Sequence, residues 1–195
     1  MATAFTEQEI SYIRKALKTA ARTYALTQGV RKTTVDQLVE SAGISKGAFY
    51  KFYSSKEMLF FELLEDMHTE IYGAAAAVLA EKREDSNAER VAQAVLAACR
   101  LTDERGIMTF IERDAVYLLR KIPAEVQQKH YHSDAAHITQ LLERAELDPQ
   151  GGMELAAATV RGLFLTVSHK EEIGEAYDEV LRTLVYGACR ILFPD

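Results

Sequence analysis

Hydrophobic residues recur at helical spacing along most of the chain, and the strict alternation of a half-buried strand is absent. In the first stretch, Thr6 and Glu9 have the spacing of a capping box, and Gly29 is placed to end the helix. Its apolar stripe comprises Ile10, Ile13, Leu17, Ala20, Ala21 and Tyr24. The pattern predicts an all-α fold of about nine helices.

Residues 33–56 predict two very short helices joined by a tight turn, followed by the start of another helix. Thr34 and Gln37 form a second capping-box sequence, and Gly43 ends that helix where a positive φ is useful. Ser45 then caps the second short helix. This combination is typical of a helix-turn-helix, whose second helix enters the major groove of DNA.

Longer helices follow this head. The first is predicted from Ser55 to about Ala80, and a polar loop at residues 81–87 comes after it. Further helices are expected at about 86–101, 104–120, 125–146, 153–169 and 174–193, with breaks at Pro123 and at residues 148–152.

The charge of the chain is unevenly distributed. The net charge is −6, yet nine basic and four acidic residues up to Lys56 give this segment a charge of +5, so the remainder carries −11. A localised basic head supplies the attraction to phosphate that non-specific DNA binding needs, although the chain as a whole is acidic. The basic segment coincides with the helix-turn-helix, which favours a nucleic-acid partner over an ordinary solvated surface.

The set of residues in this segment resembles the TetR family of bacterial transcriptional regulators. The resemblance covers about residues 8–60 and is carried by Thr33, Thr34, Val35, Leu38, Ala42, Gly43, Ile44, Ser45, Lys46, Gly47, Phe49, Tyr50 and the run from Ser55 to Leu59. It implies a DNA-binding domain at residues 1–54 and a ligand-binding and dimerisation domain at residues 55–195.

The resemblance also implies a function: a ligand-responsive repressor that binds a palindromic operator in double-stranded DNA as a homodimer. A small effector, apolar or aromatic in character, would release it. The alternative is a helical small-molecule-binding protein or enzyme that keeps the head as a relic. Lys46, Lys51 and Lys56 argue against a relic, because an unused head would be free to lose exposed lysines.

The head residues have distinct expected roles. Thr34 opens a helix whose N-terminus can hold a phosphate, Lys46 can reach a guanine edge or a phosphate, and the methyl group of Ala48 can meet a thymine methyl. Matching family positions imply that Tyr50 and Lys56 bind phosphate. The family often has His where this chain has Phe52, so Lys51 is expected to compensate. The predicted DNA-binding set is Thr33, Thr34, Ser45, Lys46, Gly47, Ala48, Tyr50, Lys51 and Lys56.

The last two predicted helices carry strong apolar stripes. An intramolecular helix hairpin accounts for part of them, and the resemblance adds a four-helix bundle with a second copy of the chain. The residues predicted at this dimer interface are Val160, Leu163, Val167, Tyr177, Leu181, Leu184, Val185 and Ala188.

A ligand pocket is expected within the body, where flexible Met and large aromatic side chains suit an apolar ligand. The predicted lining residues are Phe60, Leu64, Met67, Met108, Phe110, Ile111, Tyr117, Tyr131 and Phe164. For each of them, plain core packing is the competing interpretation.

Other chemistry is not indicated. His130 and His132 would lie about 200° apart on a helix and cannot share an ion, so the histidines of this region are interpreted as surface or groove-lining groups, and no metal or cofactor is expected. No catalytic constellation is recognisable, and no enzymatic activity is expected.

Cys99 and Cys189 are interpreted as buried thiols. No apolar run is long enough to cross a membrane and no secretory signal is evident, so we expect a cytoplasmic protein.

Overall fold

A computed structural model describes residues 5–81 and 84–194, without the side chains of residues 131–135 and 168. The described residues form helices and no strands, as predicted. The helices are α1 (Glu7–Thr27), α2 (Val35–Ala42), α3 (Lys46–Phe52), α4 (Lys56–Ala80), α5 (Asn87–Glu104), α6 (Ile107–Phe110), α7 (Val116–Leu119), α8 (Ala124–Arg144), α9 (Gly152–Leu165), α10 (Lys170–Ile173) and α11 (Tyr177–Leu192). A π-helical turn, Ile111–Ala115, joins α6 to α7, and 3-10 turns flank α10.

The helix starts in the head follow the predicted local signals. Thr6 and Thr34 each accept a hydrogen bond from the backbone N–H three residues on, and Glu9 and Gln37 complete the two capping boxes. Gly43 has φ 68°, a left-handed conformation that a side chain would strain. These confirmed caps leave α2 and α3 joined by a tight turn, as a helix-turn-helix requires.

The chain divides into two compact units, which we call unit 1 (Met1–Met67 and Thr109–Pro123) and unit 2 (His68–Met108 and Ala124–Asp195). These packing units do not coincide with the predicted domains 1–54 and 55–195, which stay a prediction. Two features explain the difference: Leu59, Phe60, Leu63 and Leu64 of α4 are buried, and residues 109–123 bond to the loop after α1.

That bonding is a clamp formed by Asp114 and Arg113 of the π-helical turn. The carboxylate of Asp114, only 1% exposed, accepts a hydrogen bond from the N–H of Val30 at 3.2 Å and one from Nε of Arg113 at 3.0 Å. The guanidinium of Arg113 also donates to the carbonyl of Ala25, near the end of α1. Residues 111–115 thus hold the loop between α1 and α2 in place. The prediction of one regular helix over residues 104–120 did not include this contact.

Unit 2 packs α11 against α5 and α9. The hydroxyl of Tyr186 on α11 donates to Glu89 on α5 at 3.0 Å, and the N–H of Gln150 donates to the carbonyl of Leu192 at 2.7 Å. The apolar stripes of the last helices therefore face inward in large part.

This burial corrects the predicted dimer residues. Five of the eight are buried within the chain itself, with 8% or less of their surface accessible, and so offer little area to a partner: Leu163, Val167, Tyr177, Leu181 and Val185. Val160 and Ala188 are half-buried, and Leu184 is 44% exposed. The large apolar side chains that α9 and α11 expose are the predicted Leu184 together with three that were not predicted, Leu155, Leu165 and Ile191, the last with 72% of its surface accessible.

The predicted pocket residues are distributed over both units. Phe60, Leu64, Met67 and Phe110 are fully buried in unit 1. Ile111 and Tyr117 are half-buried in unit 1, and the Tyr117 hydroxyl donates to Glu57 at 3.3 Å. In unit 2, Met108 is buried and Phe164 half-buried, while the side chain of Tyr131 lies outside the described residues. Ligand contact by these residues stays a prediction.

Among the described residues, no helix is both long and apolar enough to cross a membrane. His130 is buried, at 5% exposure, so its interpretation as a surface or groove-lining group was wrong.

Candidate nucleic-acid interface

Helix α3 presents one face to its own core and the other to solvent. Ser45 caps it by accepting the N–H of Ala48 at 3.1 Å, and Phe49, completely buried, anchors it with its ring 5.9 Å from that of Tyr53. On the outer face Tyr50 is 53% exposed. Ser45, Lys46, Gly47 and Lys51 are exposed as well, and Ala48 is half-buried. Most of the predicted recognition residues thus share one accessible surface.

The packing of the protein itself does not explain why residue 47 is a glycine. It lies inside α3 with an ordinary helical φ, and a Cβ built there would meet nothing closer than the Ser45 hydroxyl at 4.0 Å. Glycine inside a helix costs about 0.5–1 kcal/mol relative to alanine. A position that tolerates a side chain but carries none is expected where another surface approaches the backbone closely.

Lys46 forms an exposed ion pair with Asp36 of α2, with 2.9 Å between its Nζ and a carboxylate oxygen. The hydrogen bond that Lys46 donates to the Asp36 carboxylate raises the pKa of Lys46, so the ammonium group stays charged at neutral pH. Because exposed pairs are worth little, Lys46 can exchange Asp36 for a phosphate or a base edge at small cost.

The two threonines before α2 have different surroundings. Thr34 is exposed at the N-terminus of α2, where its hydroxyl accepts the N–H of Gln37 at 3.2 Å. Thr33 is completely buried, and its hydroxyl donates to the carbonyl of Gly29 at 2.7 Å. The prediction that Thr33 contacts DNA therefore needs correction, because its side chain holds the loop before α2.

Lys56 has a structural role that the sequence did not reveal. At the start of α4, its ammonium group donates to the carbonyls of Val30, Arg31 and Thr33, with 2.8 Å to the first. These bonds use all three ammonium protons. A phosphate contact by Lys56 stays a prediction, and it would require at least one of these bonds to open.

The region around Phe52 is closed by aromatic contacts. Phe52 lies with its ring centroid 5.6 Å from that of Phe5, and Nζ of Lys51 lies 5.3 Å from the Phe5 ring. Phe52 thus packs against Phe5, just before α1, and the exposed cation at this end of α3 is Lys51.

Two cations absent from the predicted set lie beside Thr34. Arg31 and Lys32 are exposed in the loop between α1 and α2, and the guanidinium of Arg31 is 4.9 Å from the Tyr117 ring centroid. Their position next to the N-terminus of α2 was readable from the sequence, where both were counted only as part of the basic head. Lys46 and Lys51 bring the exposed cations of α2, α3 and this loop to four, against the two exposed acids Asp36 and Glu40 of α2. This positive surplus suits a phosphate backbone.

Comparison with known proteins gives concordant matches. Residues 17–63 match the model of bacterial regulatory proteins of the tetR family. Over 191 residues the chain is 26% identical to the uncharacterized HTH-type transcriptional regulator YdgC of Bacillus subtilis (strain 168), with 89% of this chain and 91% of that protein covered.

Solved structures show the same fold. The transcriptional regulator SCO7518 of Streptomyces coelicolor A3(2) superposes with a TM-score of 0.69 at 14% identity, covering 94% of this chain and 99% of that chain. NalD, the secondary repressor of the MexAB-OprM multidrug efflux pump in Pseudomonas aeruginosa, gives 0.63 at 20% identity, covering 95% and 99%.

Proposed function

The chain belongs to the TetR family of bacterial regulatory proteins, and on that premise we propose that it is a ligand-responsive transcriptional repressor. It would bind a palindromic operator as a homodimer, in the cytoplasm where the operator lies, and a small apolar or aromatic effector would release it. Helix α3 supplies the recognition surface, and the loop before α2 supplies phosphate contacts.

The observation that carries this proposal is Gly47 on the exposed face of α3, between Lys46 and Tyr50. A gel-shift experiment with the DNA upstream of the chain's own gene tests it. We expect a saturable shift that resists competitor DNA. Gly47→Ala should raise the free energy of unfolding by about 0.5–1 kcal/mol and still weaken the shift, because the methyl group occupies the space that DNA needs. Full operator affinity in Gly47→Ala would remove α3 as the reading helix.

A homodimer is proposed through the exposed apolar side chains of α9 and α11. Leu184→Glu would place a charge where the partner packs, and an unpaired buried charge costs several kcal/mol. Thr183→Glu is the matched control, because Thr183 is exposed on the same helix and polar. Sedimentation should show a monomer for Leu184→Glu and a dimer for Thr183→Glu. A dimer in both variants would place the interface elsewhere.

The switch is proposed to act through α4, the helix that contributes residues to both units. A displacement of α4 on effector binding would change the spacing of the two α3 helices, which must lie about 34–36 Å apart to enter successive major grooves. Linkage requires the effector to bind the DNA complex more weakly than the free protein, by the factor by which it weakens DNA binding, about 5- to 150-fold. Equal effector affinity with and without operator would disprove release by that compound.

A further inference from the structure

Exposed cations of unit 1 gather around the half-buried ring of Tyr117 on α7. The guanidinium carbon of Arg31 lies 4.9 Å from the ring centroid, and Nζ of Lys121 lies 6.0 Å from the same point. The two charged groups are therefore no farther apart than the sum of these distances. Lys32, the neighbour of Arg31 in the loop between α1 and α2, is exposed as well. We call Arg31, Lys32 and Lys121 the Tyr117 cluster.

Lys121 reaches this ring from a part of the chain that is far from the helix-turn-helix in sequence. It follows α7, within the segment Thr109–Pro123 that belongs to unit 1. The count of basic residues up to Lys56 did not include it, so the sequence assigned Lys121 to the acidic remainder of the chain. The structure instead places it beside Arg31, a cation of the basic head.

The segment that carries Tyr117 is fixed against the loop that carries the two other cations. The buried carboxylate of Asp114 accepts the N–H of Val30, as described above. Gly29 lies close to the same clamp, because a Cβ built there would come within 2.7 Å of Nε of Arg113 and 2.9 Å of the Asp114 carboxylate. With φ 84° at Gly29, a side chain would also strain the backbone. The position of the Tyr117 cluster is therefore defined by tight packing on both sides.

The acidic groups close to Tyr117 do not neutralise the cluster. Glu57 accepts the hydroxyl of Tyr117 at 3.3 Å, and Asp114 is paired with Arg113. Within the described part of the chain, no member of the Tyr117 cluster forms an ion pair through its side chain. Cations that are held together without a partner carboxylate create a positive potential that attracts a polyanion.

We propose that the Tyr117 cluster binds the phosphate backbone of DNA, and that Tyr117 is a positioning residue for Arg31. The inference rests on the proposed function, and it adds a DNA contact from outside the helix-turn-helix, Lys121. Because Arg31 and Lys32 precede the N-terminus of α2, the cluster meets phosphates next to those that this N-terminus holds. Such contacts strengthen binding to every sequence alike.

The ring of Tyr117 prepares Arg31 for this contact. A guanidinium that lies over an aromatic face keeps its N–H groups at its edge, where they can donate to a phosphate. An arginine that is already held in place loses less conformational freedom when it binds, so the contact is stronger than one made by a mobile side chain. The bond from the Tyr117 hydroxyl to Glu57 on α4 helps to orient the ring.

The test is the salt dependence of DNA binding by the full-length protein, measured by fluorescence anisotropy with the DNA upstream of its own gene and with an unrelated duplex. Lys121→Gln and Arg31→Gln should each lower the slope of log affinity against log salt by about 0.9. Their loss of affinity should therefore be about three- to fourfold larger at 50 mM salt than at 200 mM, and equal on both duplexes. Lys129→Gln, which changes an exposed lysine of unit 2, is the matched control and should keep the slope of the wild type.

Two variants of Tyr117 test its positioning role. Tyr117→Phe keeps the ring and loses only the bond to Glu57, so it should keep the salt slope of the wild type, whereas Tyr117→Leu should lower the slope as Arg31→Gln does. A change in stability alone does not alter this slope, and the exposed Lys121→Gln gives a reading even if Tyr117→Leu does not fold. Equal slopes for Tyr117→Leu and the wild type would disprove the positioning role.

The outcomes also separate this inference from the proposed function. If the wild type binds its upstream DNA with a saturable shift while Lys121→Gln and Arg31→Gln keep its salt slope, the Tyr117 cluster does not contact DNA, although the proposed function holds. A loss of affinity on the upstream DNA alone would also overturn a backbone contact. If the wild type binds neither duplex at low salt, the proposed function fails and this inference fails with it.

Discussion

Replacement of Asp114 by alanine should destabilise the protein more than the loss of an exposed acidic side chain does. Its carboxylate is the acceptor for the buried Val30 N–H, and an unsatisfied buried donor costs about 1–3 kcal/mol. The pair with Arg113 adds no more than about 1 kcal/mol, because the Arg113 side chain is 36% exposed and screened by solvent. The expected loss in the free energy of unfolding is therefore about 1–4 kcal/mol.

Urea denaturation followed by far-UV circular dichroism measures this loss. Asp114→Asn keeps an oxygen for the Val30 N–H and should lose only about 1 kcal/mol. Glu112→Ala is the matched control, because Glu112 is an exposed acid in the same π-helical turn, and it should stay within about 0.5 kcal/mol of the wild type. If Asp114→Ala unfolds at the same urea concentration as Glu112→Ala, the clamp does not hold the loop between α1 and α2.

Other predictions concern buried side chains. The Tyr53 hydroxyl is buried without a hydrogen-bond partner among the described residues, and burial raises its pKa to about 12. Tyr53→Phe should thus leave the free energy of unfolding unchanged or raise it by about 1 kcal/mol. Tyr50→Phe, by contrast, changes an exposed side chain of α3. It should weaken binding to all DNA sequences equally and leave stability unchanged. Burial also raises the pKa of Cys99 and Cys189 to about 12, so neither thiol should react with Ellman's reagent at pH 8 in the folded protein, and both should react in denaturant. Rapid reaction of a thiol in the native state would contradict its burial.

Local signals made the head predictable from the sequence. The capping boxes at Thr6 and Thr34, the positive φ of Gly43 and the cap at Ser45 each depend on residues within one helical turn, and the structure shows all of them.

Features that depend on distant contacts were not predictable. The stripe on α11 shows which residues are apolar, but not that Leu181 and Val185 face the interior of the chain while Leu184 and Ile191 face solvent. The role of Asp114 could not be predicted from the sequence, because its partner Val30 lies far away along the chain. The same distance concealed the bonds from Lys56 to the loop before α2.

The central claim is that α3 reads DNA sequence as part of a dimer. Selection of bound sequences from a random duplex library, with the wild type and Lys46→Ala, tests it directly. The wild type should enrich a palindrome with half-sites about 10 base pairs apart, and Lys46→Ala should relax the preference at one position in each half-site. A library that stays random after selection with the wild type, or an unchanged preference with Lys46→Ala, would contradict this role of α3.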